Sequence, residues 1–112
     1  MSDRLETAFW LKAAIKRWND RGISMLVVRR GEATAGAVLV KINRGRDIGC
    51  MVLAQTRTPQ GQPAWLRGTG AEPVTEDEAD AYIARQLKYD PDLWVVEIED
   101  AAGRHPFEEP IL

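Results

Sequence analysis

One cysteine and one histidine are all that this chain offers of the residues that most often carry catalysis or bind transition metals. With Cys50 alone, no intrachain disulfide can form, and nothing in the cysteine usage suggests secretion. A zinc site wants three or four clustered nitrogen and sulfur ligands, so no metal site is expected. No apolar run approaches the roughly 18 residues of a membrane span. The first residues mix Asp3, Arg4, Glu6 and Lys12 among apolar side chains, which suits neither a signal peptide nor an anchor. The expected location is the cytoplasm. No internal repeat or low-complexity segment is present, no Ser sits in a Gly-x-Ser-x-Gly elbow, and no glycine-rich loop with phosphate-binding spacing opens a helix. No cofactor is implied.

What remains is an ordinary globular composition, 45% hydrophobic and 29% charged, in a length that suits one domain over residues 1–112. The net charge of −2 hides a division along the chain. Residues 1–20 carry +1, residues 21–70 carry +6, and residues 71–112 carry −9. Such a split is a statement about partners or about internal pairing.

The stretch Asp90 to Asp100 organises the rest. Pro91 and its flanking aspartates open it, and Trp94, Val96 and Ile98 alternate with Leu93, Val95, Glu97 and Glu99. One face is apolar throughout and the other only at its start, which describes a strand buried on one side along its length. Upstream, residues 3–20 read as a helix with Leu5, Ala8, Leu11, Ala14, Ile15 and Trp18 on one stripe, capped by Ser2 or Asp3 and ended at Gly22. Phe9 and Trp10 fall off that stripe. They are interface candidates, or else they cover a loop or the tail of their own chain.

Strands are expected over residues 23–30, 37–43, 48–57 and 64–67, with turns of four to six residues that favour an antiparallel meander. The segment Val74-Thr75-Glu76-Asp77-Glu78-Ala79 carries a capping box and a hydrophobic staple, so a second helix starts after Thr75 and stops near Tyr89, before Pro91. The tail, with Pro106 and Pro110, makes a poor central strand. The expected fold is a two-layer α+β domain in the order α-β-β-β-β-α-β, with a mostly antiparallel five-stranded sheet and both helices on one face. Trp18, Ile15, Leu11, Ile83, Leu87, Trp94, Val96 and Ile98 are expected to share one core.

The run AYIARQLKYDPDLWVVEIED (Ala81–Asp100), the GRHPF that follows, and GAVLVKIN (Gly36–Asn43) resemble an uncharacterised bacterial family, domain of unknown function 1491. The resemblance spans nearly the whole chain. It implies a small single-domain protein without an assigned activity, and it transfers no catalytic or binding residue.

Three functional readings follow from the residues. The first is a non-enzymatic cytoplasmic interaction module for a protein partner, with self-association favoured. The second is a small enzyme whose site is assembled by folding around Cys50, His105, Asp90 and Asp92. The third is nucleic-acid binding by the basic segment, where Arg29, Arg30, Lys41, Arg44, Arg46, Arg57 and Arg67 would meet an anionic backbone and Trp65 would stack on a base. The sequence pI of 5.4 weighs against nucleic acid, and leaves those arginines as candidates for an anionic protein surface.

Overall fold

The computed structural model describes residues 6–112, so the expected Ser2 or Asp3 cap and the apolar Leu5 lie outside the described residues. Helix α1 (Thr7–Asp20) is followed by strands β1 (Ser24–Arg29), β2 (Val38–Asn43), β3 (Cys50–Arg57) and β4 (Pro63–Arg67), then helix α2 (Glu76–Tyr89) and strand β5 (Trp94–Glu99). The order is the expected one, in an α+β fold. The residue at the α1 N-cap, Glu6, makes no side-chain cap. Instead the N–H groups of Thr7 and Ala8 donate to the carbonyls of Thr34 and Ala33, and Thr7 Oγ1 donates to Gly36 O at 2.8 Å. A distant loop therefore satisfies the donors that a helix start leaves open. For α2 the capping box is complete: Glu78 N donates to Thr75 Oγ1, and Thr75 N to Glu78 Oε1.

The sheet runs β1-β5-β2-β3-β4. Its pairs are antiparallel except β2 with β5, which is parallel. The expected β1–β2 hairpin does not exist, because β5 lies between the two strands. Residues 30–37 are long enough to step across a neighbouring strand, and they are tied to it. Glu32 N donates to Asp92 O, Trp94 N to Ala37 O, and Trp94 Nε1 to Glu32 O at 2.7 Å. Glycine is required where this loop meets β5: a Cβ on Gly31 would lie 2.6 Å from the Leu93 carbonyl carbon.

Strands β2 and β5 are buried on two faces, β2 almost completely. This sets the position of the helices. Val38, Val40, Ile42, Trp94, Val96 and Ile98 share a core with Leu11, Ala14 and Trp18 of α1. Leu39, Cys50, Val52, Leu93 and Val95 share another with Ala79 and Ile83 of α2. The helices thus cover opposite faces, correcting the expectation of one helical layer and one core. Ile83 and Leu87 pack on the far side of the sheet from Trp18 and Trp94. A central strand that is apolar on both faces needs cover on both.

The sheet edges are not left bare. On the β4 side the tail pairs in parallel, with Trp65 N donating to Pro110 O and Leu112 N to Trp65 O. On the β1 side Asn19 Oδ1 accepts the Met25 N–H, and a register shift interrupts the strand between Val27 and Arg29. Both devices discourage pairing with another chain.

Candidate partner-binding groove

On the α1 face the helix lies over β1 and leaves a channel beside β3 and β4. Trp10, Ala13, Ala14 and Arg17 form its helical wall, and Gly36, Ala37 and Ala64 form a floor of small residues. The tail forms the other wall, from Pro106 to Glu109. The groove encloses about 630 Å³, a volume within the ordinary range of ligand sites.

The tail is held there by aromatic contacts. The Phe107 ring centroid lies 4.6 Å from that of Trp65 and 6.3 Å from that of Trp10, edge-on to the latter. Trp65 Nε1 donates to Glu109 Oε1 at 3.0 Å. His105 stacks on Phe107, and its Nδ1 accepts the Phe107 N–H at 3.3 Å. Partial burial lowers the pKa of His105 below its usual value. At the root of the tail Arg104 pairs with Asp100 at 2.7 Å, and chiefly this guanidinium holds the Asp100 carboxyl down to about 2.

The opposite face carries a charge cluster. Lys41 sits in β2 with its side chain only 5% exposed. Its Nζ lies 2.7 Å from Asp80 Oδ1 and 2.8 Å from Glu76 Oε2, both on α2, and 3.8 Å from Glu97 Oε1 on β5. Asn43 Nδ2 reaches both Glu76 and Glu97. Burial alone would depress the ammonium, but the hydrogen bonds to Asp80 and Glu76 and the charge of Glu97 outweigh it and raise the pKa. Lys41 is therefore an internal cation and cannot meet an anionic partner. Its signal in the sequence was a lone lysine inside an apolar strand, with acids spaced four apart on the next helix.

Other candidates are dispersed. Arg29 and Arg30 stand at one end of the sheet, where Arg29 donates to Leu93 O and Arg30 lies 5.1 Å over the Trp94 ring. Arg57, at the same end, donates to Gly61 O. Arg44 and Arg46 lie in the β2–β3 turn at the other end, where Arg44 donates to Ala101 O. Arg67 ends β4 at that same end, and both it and Arg46 are exposed. Among the described residues none of these arginines lies within ion-pairing distance of a carboxylate. Trp65 is 2% exposed, so the expectation that it stacks on a base is corrected: its ring is core, beneath Phe107. Trp10 is half-buried against the tail, whereas Phe9 is 64% exposed.

The residues of the enzyme reading are not brought together. Cys50 is buried in the α2-side core, its thiol pushed up in pKa chiefly by that burial. His105 lies against Phe107 on the α1 side. Asp90 and Asp92 form the turn before β5, at the opposite end of the sheet from Cys50, with Asp90 Oδ1 accepting the Asp92 N–H. Among the described residues no cluster of histidine, cysteine and carboxylates suited to a metal occurs. No helix of the described residues is long and apolar enough to cross a membrane.

Fold and site define an α+β domain with a mixed five-stranded sheet, a helix on each face and an aromatic groove on one of them. The chain belongs to the family described as "Protein of unknown function (DUF1491)", whose profile matches residues 5–108. It is similar to a DUF1491 family protein from Caulobacter crescentus CB15, whose crystal structure superposes with a TM-score of 0.85 at 38% identity, covering 97% of this chain and 100% of that one. An NMR structure of a DUF1491 family protein from the same organism gives 0.82 at 38% identity, covering 96% of each. The solution structure of Atu0922 from A. tumefaciens shares the fold, with a TM-score of 0.72 at 23% identity, covering 95% of this chain and 96% of that one. Comparison with curated protein sequences finds no match.

Proposed function

We propose that this protein is a non-enzymatic, cytoplasmic interaction module that takes an apolar or aromatic anchor from a protein partner into the α1–tail groove. The groove itself carries this reading. Small residues make its floor, and Trp10 and Phe107 stand in its walls. Binding hot spots between proteins are aromatic or arginine side chains seated in such pockets. The separation of Cys50, His105 and the Asp90–Asp92 turn supports a binding role over a thiol enzyme. The division of the basic residues between both sheet ends supports a protein partner over a nucleic-acid backbone, which wants a continuous basic track. A single unpaired cysteine fits a reducing compartment.

Random peptides displayed on phage and selected on the wild-type protein, with counter-selection on Ala13→Arg, test the reading. Ala13 is exposed and lines the groove, so an arginine there fills it from the rim without entering the core. Enrichment of aromatic-containing peptides that bind Ala13→Arg at least about tenfold more weakly, a loss typical of a blocked hot spot, is the expected result. Peptides that bind both forms alike would show that the groove is not the binding element.

A further inference from the structure

Phe9 is the large exposed aromatic of α1, and among the described residues it is left 64% exposed. It stands one helical turn before Ala13, and residues four apart on a helix are surface neighbours. Ala13 lines the groove. A projecting ring and a cavity therefore occupy adjoining parts of one surface. That adjacency matters for symmetry. A knob and a hole on the same patch can engage reciprocally across a two-fold axis and close as a dimer, whereas a knob remote from its hole makes an open chain of subunits.

The charges around the groove have the same property. Arg17 and Arg57 lie along it on the helix and β3 side, and Glu108 lies along it on the tail side. None of the three is within ion-pairing distance of an opposite charge among the described residues. A two-fold axis through this patch carries the basic flank of one copy onto the acidic flank of the other. Edge-to-edge sheet growth is the competing route to a dimer, and the Asn19 cap on Met25 and the tail strand beside β4 both obstruct it.

Resting on the groove reading above, we infer that the partner is a second copy of this chain, and that Phe9 of each copy inserts into the groove of the other. The ring supplies the buried area, while the arginine and glutamate flanks set orientation and encounter rate.

Sedimentation equilibrium on the full chain tests this, with circular dichroism confirming that each variant is folded. The wild type should dimerise, and Phe9→Ser and Ala13→Arg should each raise the dimer dissociation constant at least tenfold. Mixing the two variants should restore association above that of either alone, because the Phe9 ring of Ala13→Arg meets the intact groove of Phe9→Ser. Raising the salt to 0.5 M should weaken the wild-type dimer by shortening the reach of the flank charges. A wild type that stays monomeric at millimolar concentration overturns the inference. So does a dimer indifferent to Phe9→Ser, or a mixture no more associated than its components. The groove reading fails separately: Phe9→Ser keeps its groove, and should still capture the selected aromatic peptides whether or not the wild type dimerises.

Discussion

Lys41 and Glu97 stand side by side on the parallel strands β2 and β5, with Nζ 3.8 Å from Oε1. The contact joins strands that are distant in sequence. The same ammonium ties both to α2 through Glu76 and Asp80. Three elements thus converge on one buried cation, and the cluster fixes how α2 sits on its face of the sheet. Replacing Lys41 with Met should destabilise the protein by about 2–3 kcal/mol. That is below the 3–5 kcal/mol of a fully buried broken pair, because Glu76 and Asp80 remain largely hydrated. Adding Glu76→Gln and Asp80→Asn should recover part of the loss by removing repulsion. Urea denaturation of the single and triple variants measures both effects, and a triple variant no more stable than Lys41→Met would show that charge is not what the lysine contributes.

Trp94 begins the interior strand β5, touches the α1-side core, and donates its Nε1–H to Glu32 O. Trp94→Ala should cost about 3–5 kcal/mol, the range for truncating a large buried aromatic. Trp94→Phe keeps much of the ring but removes one of the two donors to the Glu32 carbonyl, which still accepts the Gly36 N–H, so it should fall between wild type and Ala. Chemical denaturation midpoints for the three proteins decide this, and a midpoint barely moved by Trp94→Ala would refute the assignment of β5 to the core.

At the start of α2, Thr75→Ala removes the acceptor for the Glu78 N–H, one half of the capping box, and keeps the backbone N–H at position 75 that donates to Glu78 Oε1. A loss of about 1 kcal/mol is expected. Hydrogen exchange should localise it, with faster exchange in the first turn of α2 and little change in β5. Uniform acceleration across the sheet would contradict a local capping role.

Acid should loosen the tail. Because burial lowers the folded pKa of His105 below its unfolded value near 6.5, the unfolded chain binds more protons between the two. Its contribution to stability is complete above about pH 6.5 and declines as the pH falls through the folded value. The melting temperature of the wild type should therefore drop more between pH 7.5 and pH 5 than that of His105→Gln. Equal drops in the two proteins would exclude His105 as the titrating group. Tryptophan fluorescence, to which Trp65 and Trp10 beside Phe107 contribute among the four tryptophans, should report the same difference as tail undocking.

Much of the local structure was legible because local physics decides it. Thr75 and Glu78 announce a helix start, Pro91 disfavours helix in Asp90, and the alternation from Leu93 to Glu99 states which residues of β5 are buried. The family resemblance was legible too, in the runs around β2 and β5. What no local pattern carried was the partner of each surface. Lys41 looked like one more basic residue of a +6 segment until folding set it beside acids from α2 and β5. Trp65 looked like a stacking platform until the tail laid Phe107 over it. The insertion of β5 between β1 and β2 depends on residues more than 50 positions apart competing for the same strand edge. Helix periodicity says that α1 and α2 each have an apolar stripe, but not which face of the sheet receives it. That was decided by β2 and β5, whose apolar residues point both ways, so that one helical layer would have left a face of the central strands in water.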